Sequence, residues 1–250
     1  NLTHYKNKIT YLPDEKKTTV MDGHGGYMNG SRYYGEDLPI NTWYMKRFAG
    51  LSEDGLSLWY YTDKETNEEK TTTTYSTGDF YLCGDPNPDL YGGFGTSITF
   101  HGFDLSTQFS YLVGGLTYDY GYAGMMGNPT ATSVGNRWHK DVLKAWSPEN
   151  PSSTIPRWYF NDLNTTGSSD RFLIDGSYLN LQNIQVRYTL PDSWTSHLKI
   201  KNLRLYFVCD NVYYWSKRKG LDPRRSISGV GTSGKIAPFR TYSGGISLQF

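Results

Sequence analysis

The chain contains little cysteine. Its 250 residues include two cysteines, Cys83 and Cys209. Two cysteines are too few for a disulfide framework, and they lack the Cys-x-x-Cys spacing that is typical of a zinc site. We therefore expect two isolated thiols and no structural metal.

Long hydrophobic runs are also missing. No stretch approaches the roughly 18 apolar residues that a membrane-spanning helix requires. The mean hydropathy of −0.61 resembles that of soluble proteins. A membrane barrel, however, turns only alternate strand residues toward lipid, so its average hydropathy stays polar. Residues 1–8 lack the apolar segment and cleavage site of a signal peptide and look like the middle of a strand, which predicts a fragment.

Neither sign of charge dominates. Lys and Arg number 25 and Asp and Glu number 24, giving a net charge of +1. The nearest basic group, residues 217–219 with Arg224 and Arg225, is short and lies among Gly and Pro. A nucleic-acid-binding surface needs clustered positive charge, so we expect no nucleic-acid partner.

Aromatic residues and glycine are plentiful, with 22 Tyr, 7 Trp, 11 Phe and 27 Gly. This mixture favours strands and turns over helices. Apolar and polar residues alternate with the two-residue period of a half-buried strand in five segments, and more weakly in three others. The five are 90–101, 103–113, 177–190, 202–213 and 239–250, and the weaker three are 1–11, 40–50 and 56–62. About eight antiparallel strands are predicted.

The alternation also assigns faces. In 239–250, Tyr242, Ile246, Leu248 and Phe250 share one face, with polar residues and glycine between them. In 177–190 the apolar positions change parity midway, which predicts a β-bulge near Gln182.

Short and long connections alternate between these segments. The short ones join 50 to 56, 101 to 103 and 190 to 200, and the long ones cover 12–39, 63–89, 116–174 and 215–238. Transmembrane β-barrels have short periplasmic turns and long extracellular loops. An open sheet edge cannot persist in lipid, so further strands must complete the wall. The sequence therefore predicts an all-β fold, an antiparallel transmembrane β-barrel segment with long extracellular loops.

Several ordered motifs add a family resemblance. They are, in chain order, 88–96 (PDLYGGFGT), 102–106 (GFDLS), 138–143 (WHKDVL), 145–150 (AWSPEN), 155–157 (IPR), 170–173 (DRFL), 177–184 (SYLNLQNI), 188–191 (YTLP), 220–223 (GLDP) and 241–246 (TYSGGI). Together they resemble the late barrel region of SusC-like (SusC/RagA-type) TonB-dependent outer-membrane transporters. The sequence departs from the family pattern at Asn180, where a basic residue is expected, at Arg187, where glycine is expected, and at Arg224, where Glu is common.

The resemblance implies a fold and a set of partners. Residues 1–250 would be the C-terminal strands of a barrel of about 22 strands, the size associated with a plugged lumen. The plug and the TonB-contacting segment would lie in the preceding, N-terminal part of the transporter. A SusD-like lipoprotein would cap the extracellular face, and the transporter would import glycans or peptides in the outer membrane of a Gram-negative bacterium. No enzyme activity and no cofactor are implied.

Three tryptophans of the longest loop are the candidate substrate-binding residues. Trp138, Trp146 and Trp158 have faces that can stack on sugar rings or peptide side chains. Alternatively, they pack the loop against itself or against the cap lipoprotein. A short helix is predicted over 136–145, and Phe250 is predicted to be the terminal aromatic residue of the barrel.

The residue spacing does not indicate a catalytic site or a metal site. The five His lie in separate segments without metal-ligand spacing, and no carboxylate pair or nucleophile is singled out. Arg204 and Asp210 are expected to face the barrel lumen. The principal alternative function is a secreted carbohydrate-binding β-sandwich, and a glycan hydrolase is a third possibility.

Overall fold

The computed structural model describes residues 1–130, 137–162, 167–218, 220–225, 228–230 and 238–250. These residues form strands far more than helices. The strands in chain order are β1 (Leu2–Thr3), β2 (Thr19–Met21), β3 (His24–Asn29), β4 (Arg32–Gly35), β5 (Thr42–Lys46), β6 (Phe48–Leu51), β7 (Ser57–Thr62), β8 (Glu69–Thr72), β9 (Phe80–Leu82), β10 (Leu90–Phe100), β11 (Phe103–Val113), β12 (Leu116–Tyr118), β13 (Leu173–Asp175), β14 (Tyr178–Thr189), β15 (Asn202–Ser216) and β16 (Thr241–Gln249).

Helices are short and lie in the connections. The α-helices are α1 (Tyr120–Met125) and α2 (Asp192–Thr195), and the 3-10 turns are Asp14–Lys16, Lys140–Lys144, Asp170–Phe172, Ser196–Leu198 and Pro223–Arg225. Across the described ranges, every helix is too short or too polar to cross a membrane.

The principal sheet has six strands in the order β1-β10-β11-β14-β15-β16, and every neighbouring pair is antiparallel. The five segments with clear alternation form its five long strands. The end positions differ from the prediction by a few residues at most, and β11 matches 103–113. Period-two patterning was therefore sufficient to find these strands.

The register aligns the apolar residues of successive strands into rows. One row runs from Phe100 through Phe103, Tyr188 and Leu205 to Ile246. These side chains are not covered by a second layer: Ile246 is 65% exposed. A soluble β-sandwich would bury such a face against its partner sheet, so the β-sandwich alternative does not fit.

The predicted bulge near Gln182 is confirmed. Phe109 of β11 pairs with Leu181 of β14, whereas Gln108 pairs with Asn183, so Gln182 is an extra residue on β14 and the register shifts there. Because of this extra residue, Leu179 and Leu181 lie on the same face of the sheet as the later apolar residues of β14.

Short and long connections alternate along the principal sheet. His101 and Gly102 join β10 to β11 with φ of 45° and 82°, as in a two-residue type I′ hairpin. The short link 190–201, which contains α2, joins β14 to β15 at the same end. The long links are 4–89, 114–177 and 217–240, and their described residues are called here the loop assembly.

The three weaker strand predictions need correction. Segments 40–50 and 56–62 do form strands, but β5 pairs within a five-stranded sheet and β6 and β7 within a three-stranded sheet. The principal sheet thus has six strands and not eight, and the 50–56 link is a hairpin turn inside the loop assembly. The physical reason is burial. Trp43 and Trp59 are each 1% exposed and fill the interior of this assembly, whereas barrel strands expose such residues to lipid. Of segment 1–11, the described strand is β1 alone.

The predicted helix over 136–145 is a shorter 3-10 turn, Lys140–Lys144. Asn136 lies outside the described residues. Val142 packs against the core of the loop assembly, but Leu143, predicted on the same apolar side, is 91% exposed. A 3-10 turn places neighbours on different sides than an α-helix does, which accounts for the error.

Candidate functional site

The principal sheet has a polar face opposite its apolar one. Its cross-strand neighbours include Gln108 with Asn183 and Asn183 with Asp210. Nδ2 of Asn183 donates to Oδ1 of Asp210 at 2.7 Å, and Nε of Arg204 donates to Oγ1 of Thr189 at 3.3 Å. Arg204 and Asp210 therefore lie on the polar face, as expected for a lumen side.

This polar face forms a wide concavity. It has a volume of about 890 Å³ and is lined by hydroxyl and amide side chains together with glycines, Tyr91, Phe94 and Phe109. Its polar lining includes Ser97, Ser106, Gln108, Gln182, Asn183 and Gln185. Uncharged hydrogen-bonding groups on one face and bare apolar rows on the other are the arrangement of a barrel wall between water and lipid.

A second cavity lies where the strands meet the loop assembly, and sequence reasoning missed it. It has a volume of about 610 Å³, and its walls include Tyr5, Tyr91, Tyr178 and Arg224. The rings of Tyr5 and Tyr91 meet edge to face at 6.0 Å. The four residues come from four separate parts of the chain, so no local pattern could have grouped them.

Arg224 is the cation of this cavity, and it is neutralised locally. Its Nε and Nη2 each donate to a carboxylate oxygen of Asp222 at 2.8 Å. Its Nη1 donates to Oδ1 of the buried Asn180 at 2.7 Å, and the guanidinium lies 4.5 Å from the ring centre of Tyr214. The Asp222 carboxylate raises the pKa of Arg224. The ion pair thus fixes the loop after β15 against the polar face of β14.

The loop assembly has its own hydrophobic core. The buried members are Trp43, Met45, Tyr118, Met126 and Phe172. Burial raises the pKa of Tyr118 to about 12. Because the five come from two different long links, this core packs one link against another.

Two arginines mediate contacts between the third long link, 217–240, and the other two long links. Arg32 lies 3.1 Å from the ring centre of Trp43 and donates to the carbonyl oxygens of Asn41 and Ser228. Burial lowers the pKa of Arg32 to about 10. Arg218 pairs with Asp119 at 3.0 Å and lies 3.4 Å from the ring centre of Tyr122. The result is a single packed body above the strands.

Two of the three predicted tryptophans come together. The rings of Trp138 and Trp158 meet edge to face at 5.3 Å, and Nε1 of Trp158 donates to the carbonyl of Gly127 at 3.2 Å. Trp146 instead packs on Gly55, where the indole leaves no room for an added Cβ. A groove of about 390 Å³ beside it is also lined by Phe48, among others.

The remaining candidates are the possible metal ligands, the two cysteines and Phe250. Within the described ranges, no three His, Cys, Asp or Glu side chains gather into a group that could hold a metal. Cys83 and Cys209 are both free thiols, as the sequence predicted. Phe250 follows β16 directly and is 75% exposed, and its role as the terminal barrel residue stays a prediction.

Comparisons with known proteins point in one direction. No family model matches the chain. Across its whole length it is 28% identical to TonB-dependent receptor P3 of Formosa agariphila, of which it covers 26%. It is 28% identical over 94% of its length to TonB-dependent receptor P26 of the same organism, covering 24% of that protein. It is 27% identical over 71% of its length to the TonB-dependent receptor SusC of Bacteroides thetaiotaomicron, covering 17% of it.

Solved structures agree. The chain matches the RagAB peptide transporter with a TM-score of 0.73 and 25% identity, covering 90% of this chain and 24% of that one. It matches the "open-open" state of the RagAB peptide importer with a TM-score of 0.71 and 25% identity, covering 93% of this chain and 25% of that one. The chain thus spans about a quarter of the length of its first relatives.

These relatives are receptors and transporters, which confirms that the chain is not an enzyme. The antiparallel sheet, with one bare apolar face and long links at one end, is the corresponding piece of barrel wall. The chain is thus similar in sequence and in fold to a segment of the β-barrel of SusC-like TonB-dependent outer-membrane transporters.

Proposed function

We propose that the chain forms part of the wall and part of the extracellular mouth of a transporter that imports glycans or oligopeptides, energised through TonB. The observation that carries the proposal is the two-faced principal sheet. Its apolar rows are exposed on one side, and its other side is a polar concavity of about 890 Å³ beneath the loop assembly. A wall of this kind separates lipid from an aqueous path.

The rest of the barrel is also proposed. β1 pairs with β10 only at Tyr91 and Gly92, so Phe94–Phe100 has no neighbour on that side within the described residues. Unpaired backbone groups are costly in hydrocarbon, so further strands must close both margins of the sheet. We assign 1–250 to the C-terminal part of the barrel, with the plug and TonB-contacting segment in the N-terminal part.

A SusD-like lipoprotein is the proposed extracellular partner. The loop assembly exposes neighbouring aromatic side chains, Trp158, Tyr159 and Phe160, of which Tyr159 is 64% exposed. Contiguous exposed apolar groups are typical of protein contact sites. The edge-to-face pair of Trp138 and Trp158 is proposed to contact substrate or cap at this surface, and Trp146 is proposed to do so from its separate groove.

Uptake by whole cells tests the proposal. Cells with and without the transporter would receive labelled oligosaccharides and oligopeptides, with and without an intact TonB system. We expect one of the two substrate classes to accumulate only when transporter and TonB are both present. Unchanged uptake of both classes, together with a transporter that stays in solution without detergent, would refute it.

A variant pair tests the tryptophan site. Trp158→Ala removes the exposed member of the ring pair and is expected to raise the KM of uptake several-fold while the barrel still folds. Trp146→Ala serves as the matched comparison at the separate groove. If both variants leave the KM unchanged, the tryptophans only pack the loop assembly.

A further inference from the structure

The cavity of about 610 Å³ between the strands and the loop assembly lies on the polar side of the principal sheet. Its floor includes Tyr91, Leu112 and Tyr178, which are neighbours across β10, β11 and β14. Leu112 lies four residues after Gln108 on β11, so this row shares the polar face with Gln108. The opposite wall comes from the long links and also consists of described residues, among them Tyr5, Pro86, Pro88, Pro223 and Arg224.

This cavity adjoins the larger polar concavity below it. Tyr91, Ser110 and Gln182 line both spaces. Gln182 is the extra residue of the bulge in β14, and a bulge can redirect a side chain at a functional position. The Gln182 amide therefore lies where the two spaces meet. A molecule held in the cavity is in contact with the aqueous path along the wall.

The cavity offers hydrogen-bonding groups that the described part of the chain does not use. Among the described residues, the hydroxyl groups of Tyr5, Tyr91 and Tyr178 and the amide of Gln182 have no hydrogen-bond partner. Arg224 has five N–H donors, of which three bind Asp222 and Asn180. Two donors of the guanidinium remain for a ligand.

The described lining carries no unpaired charge. Arg224 is its one charged residue, and the Asp222 carboxylate neutralises the guanidinium at 2.8 Å. A charged ligand in this space would be removed from water without a counter-ion, which is costly. An uncharged ligand with many hydroxyl groups needs no counter-ion and matches the free donors and acceptors.

Two common ways of binding a peptide are not offered at this cavity. A peptide can add a strand to an open sheet edge, or its charged terminus can be captured. The backbone of the floor is already paired, since Tyr91 has Thr3 on one side and Leu112 on the other. The guanidinium of Arg224 is already paired as well. Tyrosine rings that are partly exposed, 39% for Tyr5 and 41% for Tyr91, fit the C–H face of a sugar ring.

We propose that this cavity binds an uncharged sugar unit of the imported substrate. The rings of Tyr5, Tyr91 and Tyr178 contact the sugar ring, and Gln182 and the free donors of Arg224 bind its hydroxyl groups. A volume of about 610 Å³ lies within the range of roughly 300–1,000 Å³ that is usual for ligand sites. The proposal rests on the proposed function and narrows its two substrate classes to neutral glycans.

The test measures binding to the intact transporter, purified in detergent, by isothermal titration calorimetry. The probes are uncharged hexasaccharides of glucose, mannose, xylose or galactose, a charged oligogalacturonate, and hexapeptides with free or with capped ends. We expect at least one uncharged hexasaccharide to bind. We expect the oligogalacturonate and both kinds of hexapeptide to bind at least tenfold more weakly than that hexasaccharide.

Two variants locate the site. The double variant Tyr91→Phe with Tyr178→Phe retains both rings, so it is expected to fold, but it removes two hydrogen-bonding groups and should weaken binding about tenfold. Gln182→Met keeps the side-chain volume without the amide and should weaken binding several-fold. The matched control is Tyr206→Phe, on the same face toward the short-link end, where Tyr206 pairs with Arg187. Its binding should be unchanged.

Three results would overturn the proposal: no binding by any uncharged hexasaccharide, tighter binding of a hexapeptide, or equal affinity in the wild type and both cavity variants. Uptake by whole cells separates this failure from that of the proposed function. If TonB-dependent uptake persists while binding does not depend on these tyrosines and Gln182, the cavity site alone is wrong. If binding depends on them but no TonB-dependent uptake occurs, the proposed function is wrong.

Discussion

Arg224 donates a hydrogen bond from Nη1 to Oδ1 of Asn180 at 2.7 Å, although 44 positions separate the two residues in the sequence. These are two of the three positions where the sequence departs from the family pattern. A basic residue is expected at 180, and Glu is common at 224. In this chain the loop residue carries the positive charge of the contact, and the strand residue is a neutral acceptor.

This contact predicts a double-mutant result. Arg224→Glu alone should destabilise the transporter by about 3 kcal/mol, because it removes the cation that neutralises the buried Asp222. Adding Asn180→Arg should restore a large part of that loss, since the new cation lies within reach of both carboxylates. The measurement is the temperature at which the folded, fast-migrating gel band disappears. Purely additive effects in the double variant would contradict the pairing.

The two faces of the sheet predict different tolerance to charge. Leu205→Arg places a cation among the apolar rows, at a cost of roughly 2–4 kcal/mol near mid-membrane, and should impair membrane assembly. Ser106→Arg places the same side chain on the polar face and should be tolerated better. The amount of heat-modifiable protein in the outer membrane compares the two. Equal yields would mean that the faces have been assigned wrongly.

Lys46 predicts a local loss of stability. Its Nζ is buried and donates to the carbonyl oxygens of Tyr75, Ser76 and Gly78, at 2.7 Å for Gly78. Lys46→Met keeps most of the side-chain volume but removes these donors, and leaving the buried carbonyl of Gly78 without a donor costs about 1–3 kcal/mol.

Limited proteolysis at residues 72–79 measures this effect. Cleavage should accelerate in the Lys46→Met variant. The control is Lys70→Met, which removes a partly exposed ammonium that pairs with Asp63 and should change cleavage much less. Equal cleavage in both variants would show that the three carbonyl contacts do not hold this segment.

The thiol of Cys83 predicts a pH dependence. Desolvation raises its pKa from 9.0 to about 11. Because the folded state holds the proton more tightly than the unfolded chain, this stabilisation is fully present below pH 9 and is lost as the pH rises from 9 toward 11. In a Cys209→Ser background, alkylation at pH 8 should be about a hundredfold slower than in the denatured protein, since only the thiolate reacts. A midpoint near pH 9 in the folded protein would contradict burial of the thiol.

Local patterning could predict the long strands and the bulge because both follow from the two-residue period. Sequence alone could not separate β5 and β7 from the barrel wall, because an apolar face looks the same whether lipid or a protein core covers it. Trp43 and Trp59 show this most clearly. The Tyr5–Tyr91 cavity and the Arg224–Asn180 contact depend on links that return to the sheet from far along the chain. Such contacts leave no periodic signal.

The core of the loop assembly has a consequence for biogenesis. Trp43 and Tyr118 belong to different long links, and Arg32 reaches Ser228 in a third. All three long links must therefore reach the same side of the membrane before solvent can be excluded from this core. If assembly stopped with one long link still on the periplasmic side, the strands would be inserted but the loop assembly would remain accessible to proteases. Protection of the Trp43 region should thus appear as the last event of assembly.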